Sequence, residues 1–214
     1  MRNEIINIAK TYAQTNEPND AEVSLCIDGA INELSELSPL LKTEIITKSD
    51  EWTTLPSDWV ENYSFIKGIS DDYGRDLPFI LQDGKIKVPD VNIGGIFYLT
   101  YSVPYFLTIV DSTESTNIPQ IYQTPLGILL GAHLCELLAS KYAQLQEQSL
   151  GAEIVNFRDK AEIFHRRAEE LRAIAFRLLR IEVEKDGKRE KPLSAFISVI
   201  PPSLEELASY EDNG

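Results

Sequence analysis

The chain has 214 residues, of which 34 are acidic and 20 are basic, so its formal net charge at pH 7 is −14. A hydrophobic fraction of 43% provides for a packed core and is too high for a wholly disordered chain. The length indicates one domain, or one domain with an appendage, and the acidic balance argues against a protein that grips DNA by neutralising its phosphates. Two Cys and two His leave little for a zinc site or a disulfide framework.

Residues 1–6 carry an early acid and no long apolar run, which is not the pattern of a secretory signal. Of the two most apolar stretches, residues 93–110 contain glycines and a proline, and residues 126–138 are too short to span a bilayer. We therefore expect a soluble protein made in a reducing cytoplasm, with no membrane partner. Cys26 and Cys135 lie in helical apolar patterns, which favours two buried free thiols over a disulfide or a reactive thiol.

Residues 1–41 are predicted to form two helices of the helical core. Apolar side chains recur at helical spacing in the first helix, and the polar run 16–20 then breaks the chain. Asn19 or Asp20 can cap the second helix, which Pro39 ends. One face of that second helix is apolar, with Val23, Cys26, Ile27, Ala30, Ile31, Leu34 and Leu37.

Residues 42–120 are predicted to form an inserted antiparallel β domain. The clearest hairpin is 79–88, with Asp83-Gly84 as its turn. Residues 95–103 are the strongest strand, and their two alternating sets of side chains indicate that both faces are covered. The polar stretch 111–124 is predicted to be a connecting loop.

Residues 121–183 are predicted to form a long helical hairpin, with Thr124 as the cap of its first helix and Pro125 in the first turn. The second helix has a heptad seam that alternates large and small residues, and the narrow seam predicts packing against the preceding helix. The members of the seam are Phe157, Ala161, Phe164, Ala168, Leu171, Ala175 and Leu178.

Residues 184–214 are predicted to be an extended C-terminal tail. A charged linker at 184–191 precedes an apolar, β-prone segment at 192–202 that is bounded by prolines, and 203–210 can form a short acidic helix. An apolar extension beyond a polar linker typically docks on a partner or a neighbouring subunit. The alternative is that this tail folds back on its own sheet.

The negative charge is unevenly distributed along the chain. Residues 1–120 have a net charge of −11, residues 121–183 have none, and residues 184–214 have −3. The second long helix is locally basic, with Arg158, Lys160, Arg166, Arg167, Arg172, Arg177 and Arg180. These side chains are predicted to form a solvated face with nearby glutamates. The alternative is that some of them meet acidic surface on an adjacent subunit.

The residues give no catalytic constellation. His133 and Glu136 share a helix at a spacing that metal-binding bundles use, but a second carboxylate–histidine pair is missing from the sequence pattern. There is no glycine-rich phosphate loop with a following Lys and no nucleophile-elbow Ser. We predict that the protein is not an enzyme and has no cofactor or metal. The competing hypothesis is a metal-dependent hydrolase built on His133, Glu136 and His165.

Five short motifs occur in a characteristic order. They are GAINELSEL at 29–37, LPSDW at 55–59, NYSFIKGI at 62–69, FYLTYSVP at 97–104 and IPQIYQTPLGILLGAHLCELLASKY at 118–142. In this order, over residues 1–180, the chain resembles the adaptor, or head–tail connector, proteins of tailed bacteriophages. It departs from simpler members in its longer β region, which resembles that of adaptors from short-tailed phages.

The resemblance implies a structural virion protein at the head–tail junction, assembled in the host cytoplasm. Such adaptors form a dodecameric ring below the portal protein, extend the DNA channel, and provide an attachment surface for tail tube, nozzle or fibre proteins. Their C-terminal segments reach the portal. Carried over by position, the portal-docking residues are Phe196, Ile197, Val199, Ile200, Leu204 and Leu207.

The resemblance also gives the acidic balance a use. A channel should let viral DNA pass without specific binding, and a negative lumen repels phosphates. Acidic residues of the N-terminal and β regions are candidates for that lining. The alternative identity is another neck or tail-completion protein of the phage particle.

Overall fold

The computed structural model describes residues 1–47, 52–89, 96–110, 113–148 and 152–181, and shows an α+β protein. Its α-helices in these ranges are α1 (Arg2–Ala13), α2 (Asp20–Leu37), α3 (Gln123–Gln148) and α4 (Ala152–Leu178). Its strands are β1 (Leu40–Thr47), β2 (Thr53–Thr54), β3 (Ile66–Asp71), β4 (Asp76–Leu77), β5 (Ile80–Gln82), β6 (Lys85–Lys87), β7 (Ile96–Val103), β8 (Leu107–Val110) and β9 (Thr113–Thr116). The predicted class, with antiparallel sheets and a C-terminal pair of long helices, is confirmed.

Local signals set the ends of the first two helices. The Asn19 side chain accepts a hydrogen bond from the Glu22 backbone N–H, and the Glu22 carboxylate accepts one from the Asn19 N–H. This capping box selects Asn19 as the cap of α2. Both ends of α1 are completed from distant parts of the chain: Glu114 on β9 accepts from the Arg2 N–H, and Arg167 on α4 donates to the Tyr12 carbonyl.

Helix α3 begins earlier than its sequence indicated. A 3-10 turn at Gln120–Tyr122 leads directly into α3 at Gln123, so the prediction that Thr124 caps the helix is wrong. Pro125 is still in the first turn, where the missing N–H has no helical partner to lose. The residues that follow, 126–132, are buried on every side of the helix, because α1, α2 and α4 all contact α3.

Two glycines bring α1 close to α3. A Cβ added to Gly127 would lie 2.6 Å from Ile8 Cγ2 and 3.2 Å from the Ile5 carbonyl oxygen. One added to Gly131, a turn later, would lie 3.2 Å from the Ala9 carbonyl oxygen. At these two positions only glycine hydrogen atoms lie between the backbones of α1 and α3.

Buried apolar residues of all four helices form one core, which we call the helical core.

The predicted seam of α4 is buried in its middle and lost at its end. Ala168, Leu171 and Ala175 are buried, whereas Leu178 is 51% exposed. A strict seven-residue repeat drifts by about 20° per heptad on a straight helix, so the last member turns away from the partner. Arg180, in the left-handed conformation with φ 57°, then ends the helix, and Ile181 is buried in place of Leu178.

The β region has a core of its own. Its largest sheet has the strand order β1-β7-β3-β4, and a second sheet has the order β2-β6-β5. The β5–β6 hairpin turns at Asp83-Gly84, both with positive φ, as its sequence predicted. The buried members of this β core are Ile69, Leu77, Ile86, Phe97, Leu99, Tyr101 and Val103.

Two expectations for the β region differ from the structure. Strand β7 forms as predicted, but only one face is fully buried; on the other face Ile96 is exposed and Tyr98 is half-buried. That second face holds the partly polar set and, among the described residues, is covered only at its C-terminal end, where Ser102 is buried. The predicted loop at 111–124 is wrong in part, because residues 113–116 pair with β8 as strand β9. Thr113 and Thr116 are β-branched, and β-branched residues favour strands even when they are polar.

Candidate functional site

The six predicted portal-docking residues, from Phe196 to Leu207, lie outside the described residues, as does the whole segment 182–214. The last described residue, Ile181, is buried in the helical core. The chain therefore enters the predicted tail from a fixed point beside the end of α4.

Four of the five motifs contribute contacts where the two cores join. Ser35, from GAINELSEL, is buried; its hydroxyl donates to the Ile31 carbonyl at 2.7 Å and accepts from the Tyr105 N–H at 3.0 Å. Its carbonyl accepts from the Tyr63 hydroxyl, in NYSFIKGI, at 2.6 Å. Two segments far apart in sequence are thereby fixed to the end of α2, and we call this arrangement the motif junction.

Further contacts extend the motif junction on both sides. The Ser38 hydroxyl donates to the Tyr122 hydroxyl at 3.1 Å, and the Tyr122 ring meets that of Tyr105 edge-on, with centroids 5.8 Å apart. Phe65 and Ser102 exchange two hydrogen bonds of 2.9 Å, one from each backbone N–H. Every motif except LPSDW thus contributes to the joint between helices and sheet, directly or through an adjoining residue.

The LPSDW turn is held against strand β7. The Tyr101 hydroxyl donates to Asp58 Oδ1 at 2.6 Å and lies 2.9 Å from Glu44 Oε1. Lys42 forms an ion pair with Asp58, and the Trp59 ring packs on Tyr101 with centroids 6.2 Å apart. Burial alone would raise the pKa of Asp58, but Lys42 and Tyr101 outweigh it, so the pKa lies below its usual range. The contacts are those of a structural anchor.

A second polar cluster joins three helices. The guanidinium of Arg172 on α4 donates from Nη2 to Glu136 Oε2 on α3 at 2.8 Å, and from Nε to Glu33 Oε1 on α2 at 3.1 Å. We call Glu33, His133, Glu136 and Arg172 the interhelix clamp. Sequence reasoning missed it, because it treated Arg172 as part of a solvated face.

His133 completes the interhelix clamp without a well-formed hydrogen bond. Its Nε2 atom is 2.9 Å from Glu33 Oε2, but the ring N–H is not aligned with that oxygen, and Nε2 is buried. The imidazole also lies against Gly29, where an added Cβ would come within 3.2 Å of the ring. The ring is therefore positioned by packing between α2 and α3.

The clamp stabilises its carboxylates in the charged form. Burial alone would raise the pKa of Glu33, but His133 and Arg172 outweigh it, and the pKa lies below its usual range. The pKa of Glu136 is also lowered, chiefly by its hydrogen bond to Arg172. Both carboxylates raise the pKa of the Arg172 guanidinium further above its already high value.

The residues of the metal hypothesis are not brought together. His133 and Glu136 lie in the interhelix clamp, where the guanidinium occupies the position between two carboxylates that a cation would take. His165 is exposed on α4 and lies 3.7 Å from Glu169. In the parts of the chain that the structure describes, no group of three His, Cys, Asp or Glu side chains could hold a metal ion.

Both thiols are free and buried, as predicted. Burial raises the pKa of Cys26, and it raises that of Cys135 to about 11. Neither sulfur is in the electropositive, accessible setting of a reactive thiol.

By length and composition alone, the helical segment Gln120–Gln146 could cross a membrane. It is longer than the apolar stretch 126–138 that stands out in the sequence. More than half of its most apolar 18-residue window is buried inside the protein. Its apolarity is accounted for by the helices that pack around it.

Comparison with models of known protein families gives no match to this chain, and comparison with curated protein sequences gives none either.

Proposed function

We propose that the protein is an adaptor of the head–tail junction of a tailed bacteriophage. In this role it forms a ring below the portal protein, extends the DNA channel, and offers an attachment surface for tail components. It is a structural protein without catalytic activity. The observation that carries the proposal is the motif junction, where four of the five motifs behind the family resemblance contribute contacts that join the helices to the sheet.

This convergence supports the resemblance for a physical reason. The motifs are far apart in sequence, yet their residues and those adjoining them make the hydrogen bonds that join the helices to the sheet, as expected of motifs that define one architecture. We further propose that the four helices form one bundle, with α3 and α4 as its hairpin and the β region inserted between α2 and α3. The central position of α3 in the helical core supports this arrangement.

The tail is proposed to dock on the portal through Phe196, Ile197, Val199, Ile200, Leu204 and Leu207. The test uses the full chain and a purified portal protein, with binding measured by pull-down and by mass photometry. A variant with Phe196, Ile197, Val199 and Ile200 changed to Ser is expected to lose binding. A matched variant with Lys185, Lys188 and Arg189 of the linker changed to Ser is expected to keep it. Equal binding by both variants, or by a chain that ends at Lys191, would overturn the portal assignment.

The second candidate function is another neck or tail-completion protein, which the same fold and charge would serve. Parallel pull-downs against portal and tail proteins separate the two: capture by tail proteins alone favours this alternative. A reconstruction of the ring also tests the proposed acidic lumen, which is wrong if basic side chains face the channel.

A further inference from the structure

The outer face of α2 is acidic and lacks a cover among the described residues. This face points away from α3 and consists of Ala21, Leu25, Asp28, Asn32 and Glu36. Leu25, in its middle, is 69% exposed and offers apolar surface between the acids. Asp28 and Glu36 are exposed, and neither forms an ion pair within the described ranges. We call these five residues the α2 face.

The outer face of α4 is basic in its C-terminal half. Its outward basic set is Arg166, Arg177 and Arg180, with Ala173 between them; all four are exposed, and we call them the α4 face. Glu169 and Glu170 are exposed on the same side of the helix, but Glu170 is ion-paired with Arg167 and Glu169 lies 3.7 Å from His165. No ion pair forms on Arg166 or Arg180 in the described part of the chain, and Arg177 donates only to the Ala173 carbonyl of its own helix, at 3.3 Å. By contrast, Arg167 and Arg172 turn inward to α1 and to the interhelix clamp. Some arginines of α4 therefore contact other helices of the same molecule, whereas Arg166, Arg177 and Arg180 point outward and form no ion pair among the described residues.

The two faces are complementary, yet they cannot meet in one molecule, because each lies on the side of its helix opposite to the helical core. Each presents two or more charges of one sign that form no close ion pair among the described residues, and each includes a small side chain. The α2 face adds an exposed leucine that can pack on Ala173. Opposite potentials on two different surfaces of one chain favour a head-to-tail contact between copies.

We infer that the α4 face of one copy binds the α2 face of the next copy. The inference deepens the proposed function and rests on it for the ring. A head-to-tail contact repeated from copy to copy gives a ring only if the rotations between neighbouring copies add up to a full turn; otherwise it gives an open filament. It names the surfaces that join neighbouring subunits and the charge that sets their order. Phosphates of DNA are the competing occupant of the α4 face.

The test uses two charge-reversed full-length variants. The first carries Asp28→Lys with Glu36→Lys, and the second carries Arg166→Glu with Arg177→Glu. Each is expected to associate at least about tenfold more weakly than the wild type, because like charges then face each other at every contact. Mixed one to one, they are expected to assemble again, since reversed faces pair with each other and native faces pair with each other. Sedimentation velocity and mass photometry measure both effects, with circular dichroism as the check on folding.

A third variant, Glu61→Lys with Asp72→Lys, reverses two exposed acids of the β region and is the matched control. It is expected to associate like the wild type. Failure of the one-to-one mixture to assemble, or unchanged association of either single variant, would overturn the inference while leaving portal binding untouched. A wild-type chain that stays monomeric at high concentration overturns it too. Loss of duplex DNA binding in the second variant, without a change in self-association, assigns the α4 face to DNA instead.

Discussion

Arg172 on α4 donates to Glu136 on α3 through Nη2 at 2.8 Å, and the same guanidinium reaches Glu33 on α2. The planar fork of an arginine can serve two carboxylates at once, which a lysine ammonium cannot do with the same geometry. One side chain therefore links α4 to α2 and to α3. Without it, two partly buried carboxylates would have no arginine partner.

Replacement of Arg172 by Met is expected to lower the free energy of unfolding by about 2 kcal/mol, because both carboxylates lose their charged partner while staying partly buried. Urea unfolding followed by circular dichroism measures the change. Arg158→Met is the matched control on the same helix, since Arg158 makes only exposed ion contacts, and it is expected to cost less than about 0.5 kcal/mol. Equal losses in the two variants would show that the clamp adds nothing.

The clamp also predicts how stability depends on pH. The pKa values of Glu33 and Glu136 are lowered in the folded protein relative to their ordinary value of 4.5. A lowered pKa contributes stability that is complete above the unfolded value and is lost as the pH falls through the folded one. Unfolding free energies measured from pH 7 to pH 3 should therefore decline below the ordinary glutamate value. The variant Glu33→Gln with Glu136→Gln should decline less steeply; an identical slope would count against the interpretation.

Gly127→Ala is expected to destabilise the protein by about 1–3 kcal/mol, because its Cβ would overlap Ile8 at 2.6 Å. The loss should appear although alanine favours a helix by about 1 kcal/mol over glycine. Gly131→Ala is the graded comparison, since its nearest contact is 3.2 Å, and it should cost less. Thermal unfolding of both variants gives the order, and a reversed order would contradict the close approach of α1.

Ser35→Ala is expected to cost about 1–3 kcal/mol, because the buried Tyr105 N–H loses its acceptor. Hydrogen exchange should accelerate at Tyr105 and at neighbouring amides of the motif junction before it does so in the helical core. Ser64→Ala removes an exposed acceptor, that of the Val60 N–H, and should leave both measurements nearly unchanged. Uniform acceleration across both cores would mean that the junction does not act as a local unit.

The elements that the sequence predicted well depend on neighbours in the chain. The hairpin at Asp83-Gly84 needs two residues that accept positive φ, and the start of α2 needs only Asn19 and Glu22. Strand β7 is likewise encoded by an uninterrupted β-prone run. In each case the residues that decide the structure are close together in sequence, so a local pattern contains the information.

The relationships that the sequence did not predict join residues far apart. Arg172 and Glu33 are 139 positions apart, and nothing in the local sequence distinguishes Arg172 from the outward-facing Arg166. The exposure of Leu178 arises because a seven-residue repeat drifts around a straight helix. The regular spacing of the residues in the sequence does not reveal this drift. Strand β9 depends on its partner β8 rather than on its own polar composition. The predicted portal-docking site, from Phe196 to Leu207, stays a prediction.

The helical core is assembled from the two ends of the described chain, because α1 and α2 precede the β region and α3 and α4 follow it. To close that core, the chain must bring together segments separated by some eighty-five intervening residues. A flexible loop of that length would carry a substantial closure entropy, and non-local contacts of this kind slow folding. A β region with its own core shortens the effective loop once it forms, since it holds the end of α2 beside the start of α3. A formed sheet would therefore lower the entropic cost of bringing α3 and α4 back to α1 and α2.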